Sequence, residues 1–266
     1  MYWSAQLGDP YILLWLFFVF SFCGVVLEML HCWAIEVRGV IESRVGLLYL
    51  PLNPLYGVGA LAASVALVPF LDNPLIVALL GMAVCTVIEF VVSFAMEKTV
   101  RAVFWDYSAR PLNLFGRICL QHSVYWALLS LLLVYVLNPP VVFVVEAIPR
   151  SVGLPVLVVL CAATAMSTVL TLAAFARLDR KVAALRAAED GLDAELPDTR
   201  IGNLIDRLVP DEVLINTFPR MSRVVEYQGL TCRRRRTWRL DLHLGRPSPL
   251  IRDARERAAL YTKARD

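Results

Sequence analysis

The chain has 266 residues, 58% of them hydrophobic and only 18% charged, with a formal net charge of +3 and a mean hydropathy of +0.62. A soluble domain carries about 25% charge, so these values exclude one. Because the apolar residues arrive in long blocks and the cysteines are scattered, they also exclude a disordered chain, a collagen-like fibre and a secreted disulfide scaffold. What remains is a polytopic, all-α membrane bundle with a charged tail. Cys23, Cys32, Cys85, Cys119 and Cys161 fall singly inside apolar blocks and read as small core hydrophobes. With no paired-cysteine spacing, no structural zinc site is expected.

A helix needs about 20 apolar residues to cross the hydrocarbon core. Five stretches qualify: 11–34, 47–71, 74–95, 114–137 and 152–176. The first is no cleavable signal, since its flank MYWSAQLGDP lacks a basic residue and the run exceeds a signal h-region. The second is irregular, with Pro51, Pro54, Gly57 and Gly59 in its first half. Proline removes a backbone donor, and broken backbone at membrane depth requires cover from protein or a wet cavity. Two readings stay open: a loop entering a helix near Pro54 at the interface, or a re-entrant element. Residues 141–148 are apolar but fenced by prolines and too short to cross, which predicts an interfacial segment.

Residues before 177 hold 7 Lys and Arg against 9 Asp and Glu, whereas the remainder hold 19 against 14. The expected division is therefore a membrane part, 1–176, and a basic cytoplasmic tail, 177–266. Arg38 and Arg44 lie between the first two spans and Lys98, Arg101 and Arg110 between the third and fourth, while the alternate segments offer only Arg150. By the bias of basic residues toward the cytoplasm, the N-terminus is expected outside and the tail inside. The tail opens with a heptad seam, Leu178, Val182, Leu185, Glu189, Leu192 and Leu196, short enough to predict a locally packed helix ended by Pro197. Helical candidates follow at IGNLIDRL and DEVLIN, and the run from Arg233 to Arg236, with Trp238, suits either anionic headgroups or solvent.

Ionisable groups inside a span cost about 2.5 to 3.5 kcal/mol at the bilayer centre, so those present are expected to be paired or functional. They are Glu28 and His31 in the first span, Glu89 in the third, and Arg117 and His122 in the fourth. Glu89, Ser93 and Glu97 form a helical stripe, and Asn113, Gly116 and Arg117 another. Glu89 with Arg117 is the expected buried ion pair. The candidate polar cluster, on the cytoplasmic side, comprises Glu28, Arg44, Asn53, Tyr56, Glu89, Asp106, Tyr107, Asn113, Arg117 and His122. The same residues could instead glue helices together. Glu28 and His31 have ExxH spacing, but no second such pair and no HxxxH accompanies them, so no metal is assigned. No nucleophile elbow or phosphate-cradling glycine loop occurs, so no ATP hydrolysis by a P-loop, no cofactor and no nucleic-acid partner is expected.

The segment SRVGLLYLPLNPLYGVGA (residues 43–60), E-x-x-x-S-x-x-x-E at Glu89, Ser93 and Glu97, WDYS at 105–108, Asn113, GRICL at 116–120 and Trp126 together resemble a bacterial family, the ABC-transporter type IV or CmpB-like permeases. The resemblance covers about residues 10–180. Leu50 replaces the family's usual glycine before the first proline of PxxPxYG, and Phe104 a frequent second tryptophan before WDYS. The resemblance implies an inner-membrane permease whose ATPase is a separate chain. Five spans make a small pathway, so a homo-oligomer or a second membrane subunit would accompany it. Two alternatives stand beside transport: a membrane enzyme or lipid-headgroup binder with a cytoplasm-facing site, and an assembly or regulatory protein that recruits a partner through its tail. The orientation has a direct consequence: thiol labelling of Ala5→Cys and Lys263→Cys in sealed membranes is expected to mark opposite faces, and labelling from the same face would refute an odd number of crossings.

Overall fold

The computed structural model describes residues 2–31, 33–34, 46–189, 199–218 and 222–223. Three of its helices begin at an Asx-Pro pair, where the polar side chain caps the first turn and proline occupies the position whose N–H would be orphaned anyway. After the one-turn α1 (Tyr2–Ala5), α2 (Pro10–His31) starts with Asp9 Oδ1 accepting from Tyr11 N at 3.0 Å. At the start of α3 (Pro54–Leu67), Asn53 Oδ1 accepts from Leu55 N at 3.1 Å. Asn73 Oδ1 likewise accepts from Leu75 N and Ile76 N, at 3.1 and 3.3 Å, at the start of α4 (Pro74–Val100). After an intervening hairpin come α5 (Leu120–Leu132), a π-helical stretch (Leu133–Leu137), α6 (Asn138–Ala147) and α7 (Arg150–Glu189).

Among the described residues, four helical stretches are long and apolar enough to cross a membrane: Pro10–His31, Pro74–Val100, Leu120–Ala147 and Arg150–Lys181. The second expected span is shorter. Residues 46–53 are not helical, and α3 runs 14 residues before a 3-10 turn at Val68–Phe70. The expected interfacial segment at 141–148 is instead the continuation of the fourth span. Pro139 and Pro140 would clash with carbonyls one turn back in a regular helix, and the wider π turn immediately before them moves those carbonyls aside. The same span begins at Leu120 rather than 114, because residues 113–119 form a hairpin.

Small residues let the helices approach closely. A Cβ on Gly57 of α3 would lie 2.1 Å from Ser21 Oγ and 2.8 Å from the Phe17 carbonyl oxygen of α2, so only glycine fits. Two apolar cores result. One joins α2, α3, α4 and the π stretch through Leu16, Ala63, Leu67, Val77 and Val134. The other, at the Arg177 end of α7, joins Leu48, Phe104, Trp105, Phe175 and Leu178 to tail residues Val209, Leu214 and Phe218.

α7 runs without a break through residue 176, so seam residues 178–189 extend this helix rather than start a new one. Leu192 and Leu196 of the seam lie outside the described residues, as do Arg38, Arg44, the run from Arg233 to Arg236, and Trp238. The helical expectations for IGNLIDRL and DEVLIN correspond to α8 (Arg200–Leu208) and α9 (Asp211–Thr217). Both lie against the second core: the Phe218 ring that follows α9 lies 5.3 Å from those of Phe104 and Phe175, and β4 (Ser222–Arg223) pairs antiparallel with β1 (Ala102–Val103). Arg177 meets Asp206 at 3.0 Å, and Lys181 meets Asp206 and Asp211 at 2.8 and 2.9 Å.

Partial burial pushes the Asp206 carboxyl up, but the hydrogen bonds from Arg177 and then Lys181 outweigh it and hold the group below its ordinary value. A carboxyl depressed in the folded state contributes stability above its unfolded pKa of about 4 and loses it as pH falls through the folded value. The hydrogen-exchange protection of α8, relative to the intrinsic rate at each pH, is therefore expected to fall below about pH 4, and Asp206→Asn to lower it already at neutral pH. Unchanged protection in that variant would show that the ion pairs do not hold α8.

Candidate functional site

The site is built around the segment that joins α4 to α5. Arg101 leaves α4 in the left-handed region, with φ 50°. Asp106 Oδ1 accepts from Ser108 N at 2.8 Å, an Asx turn. Asn113 donates to the Ser108 and Arg110 carbonyls at 3.3 and 2.8 Å and accepts from Gly116 N at 2.9 Å. It opens β2 (Asn113–Leu114), which pairs with β3 (Ile118–Cys119) around a turn where Phe115 and Gly116 have φ of 53° and 62°. Leu112, just before, has φ 51°. Non-glycine residues persist there only when their surroundings hold them.

This frame directs alternate side chains inward. Trp105 and Tyr107 are buried while Asp106 between them is exposed. Trp105 Nε1 donates to the Arg117 carbonyl at 2.9 Å, and Tyr107 N to the Gly116 carbonyl at 2.9 Å. The expectation that Asn113, Gly116 and Arg117 form a helical stripe is thus corrected: they lie on the hairpin ahead of α5. Asp106 and Asn113 shape the loop, and Arg44 lies outside the described residues.

The other candidates meet. Glu89, 3% exposed, accepts from Tyr107 Oη at 3.1 Å on one oxygen and from Trp126 Nε1 at 2.9 Å on the other. Arg117, equally buried, forms its ion pair with Glu97 at 2.6 Å and donates to Ser93 Oγ at 3.4 Å. The expected Glu89–Arg117 pair is therefore corrected to Glu97–Arg117. The hairpin brings the guanidinium to α4 two turns beyond Glu89, and the rings of Phe90 and Phe94 lie 5.9 and 5.4 Å from it. Glu28 accepts from Asn53 Nδ2 at 3.3 Å, and Tyr56 packs against Trp126 with ring centroids 5.5 Å apart.

His122 stacks on Tyr107 at 4.2 Å between ring centroids, and its Nδ1 is 3.2 Å from Cys119 Sγ. His31 lies 6.2 Å from His122 and 6.0 Å from Tyr125. Ring contacts thus run from Tyr107, which donates to Glu89, to His122 and on to His31. Trp126, Glu97, Ser93 and Tyr125 were not assigned to the site from the sequence, although Glu97 stood in the same stripe as Glu89 and an indole N–H inside an apolar span itself signals a buried acceptor. Among the described residues, no group of three or more His, Cys, Asp or Glu gathers in a way that could hold a metal ion.

The family model described as "Putative ABC-transporter type IV" matches residues 15–172, more than half of the chain. The protein belongs to this family. The matched region contains the whole cluster from Glu28 to Trp126, so the polar core belongs to the family's own domain rather than to the tail. No curated protein and no solved structure matches the chain. Family membership and four helices of spanning length make it a membrane protein of a transport family.

The corrected pairing is testable by stability in detergent. Breaking a buried pair typically costs about 3 to 5 kcal/mol, so Arg117→Gln and Glu97→Gln should each lower the melting temperature, and their combination should cost less than the sum. Glu89→Gln, which leaves one of two buried donors without an acceptor, should cost about 1 to 3 kcal/mol and combine more nearly additively with Arg117→Gln. Strong coupling to Glu89 and none to Glu97 would overturn the assignment.

Proposed function

We propose that the protein is a permease-like subunit in the bacterial inner membrane, that it works with a separate ATPase, and that the layer around Glu89 is its functional core. Residues 1–176 form the membrane part in this reading and 177–266 a cytoplasmic tail, with the N-terminus outside. A fifth crossing is supported by dimensions: α3 with its 3-10 turn would rise about 27 Å, close to the roughly 30 Å hydrocarbon thickness. The basic residues of the short connections, Arg150 apart, then face one side.

The observation that carries the proposal is the environment of Glu89 within the family-matched region. A carboxylate held inside the membrane by two neutral donors, beside an arginine paired elsewhere, exceeds what helix packing alone requires. Such a group can take up a proton or face a cationic portion of a cargo. The sequence has no P-loop, so energy from ATP would have to arrive through a partner.

Affinity purification of the intact protein from native membranes is expected to recover a P-loop ATPase. Co-reconstitution of the two is expected to alter ATP turnover relative to the ATPase alone. Tyr107→Phe removes one hydroxyl from Glu89 and should reach the membrane in normal amounts while failing to complement a deletion strain. Recovery of no ATPase, together with full complementation by Tyr107→Phe, would overturn both parts of the reading.

A further inference from the structure

α8 turns three large apolar side chains outward: Ile201 is 72% exposed, Leu204 54% and Leu208 49%. At 3.6 residues per turn these positions share a sector of about 60°. The opposite face of the helix is engaged. Gly202 is buried beside the Arg177 guanidinium, Ile205 packs on the second core, and Asp206 is ion-paired to Arg177 and Lys181. Arg200 and Arg207, both exposed, border the apolar stripe along one side.

The depth of this helix follows from α7. A hydrocarbon core of about 30 Å takes about 20 helical residues, so a crossing that begins near Val152 ends near Leu172. The headgroup layer adds roughly 5 to 7 Å, which brings it to Arg177, where α8 is clamped. The C-terminal end of α8 is held at the same boundary, because the hydroxyl of the exposed Tyr49 donates to the Leu208 carbonyl. Tyr49 adjoins Leu48, whose backbone is bound to Ser167 and Thr171 inside the span. Tyrosine is enriched at this level of a bilayer.

We infer that α8 lies in the plane of the membrane on an anionic phospholipid surface. Ile201, Leu204 and Leu208 enter the boundary between headgroups and acyl chains, and Arg200 and Arg207 reach lipid phosphates along the edge of the stripe. Lipid is favoured over a protein partner by the clamp at headgroup depth and by the exposed apolar side chains one to two turns before it on α7, Val169 and Leu172, which are 64% and 48% exposed. The inference requires that α7 cross a bilayer and is independent of what the protein transports.

The test uses the full chain with a benzophenone amino acid replacing Leu204 or, as a control on the polar face, Asn203. The protein is reconstituted into phosphatidylcholine vesicles with or without phosphatidylglycerol and illuminated, and the adducts are identified by mass spectrometry. Lipid adducts at position 204 several-fold above those at 203 are expected, enriched for phosphatidylglycerol. The double variant Arg200→Gln/Arg207→Gln should lose that enrichment while retaining adducts to phosphatidylcholine. Equal lipid yields at 203 and 204, predominant cross-links at 204 to a second copy or to another protein in native membranes, or enrichment indifferent to the two arginines would each overturn the proposal. ATPase recovery tests the transport reading separately, so either can fail alone.

Discussion

A backbone group that leaves a helix where water cannot reach it must be met by the protein. Residues 46–53 are where this requirement presses hardest. Leu48 hands its carbonyl to Ser167 Oγ and its N–H to Thr171 Oγ1, both on α7, while Asn53 N donates to the Ser21 carbonyl of α2 at 3.0 Å. The same asparagine caps α3 and holds Glu28. Three helices are thereby fixed around one short unwound segment. The close contact at Gly57 follows from it, as does the position of Tyr56 over Trp126.

Charge is organised by the second departure from helix, the hairpin between α4 and α5. An arginine on a helix of its own would have to be met at its own level. On the hairpin, Arg117 folds back to Glu97 near the end of α4, and its carbonyl remains available to Trp105. Glu89 is then left to neutral donors. Tyr107 reaches it because Asp106 turns the chain, and Trp126 because α5 packs along α4. The loop residues and the buried residues thus have different work: Asp106 and Asn113 define the shape, and Tyr107 and Trp126 contact the carboxylate.

Much of this was legible in the sequence, for identifiable reasons. Hydropathy locates spans because hydrocarbon thickness sets their length; the Asx-Pro pairs that start three of the helices were not part of that reading. The rarity of charge in the spans pointed to Glu28, Glu89 and Arg117, and the structure joins the first two to Asn53 and Tyr107. The partner of Arg117 was misread because helical spacing was extended through residues 113–117, where the hairpin turn follows no helical period. The prolines at 139 and 140 were read as a fence, although a π turn upstream lets a helix carry them. Trp126 escaped because pairing in sequence space was sought between opposite charges, and its bond to Glu89 is between an indole and a carboxylate.

α7 is a single rod of 40 residues, about 60 Å long, gripped at two levels. Ser167 and Thr171 hold the unwound segment, and Arg177 with Lys181 holds the tail. Pro155 lies toward the opposite end, where loss of a backbone hydrogen bond makes bending easiest. The geometry is that of a lever with its fulcrum near Leu48. A tilt of about 10° there would sweep the far end at Glu189, roughly 27 Å away at 1.5 Å per residue, through roughly 5 Å. Motion of one arm of that helix would therefore be carried at about equal amplitude to the other, beyond the clamp at Arg177.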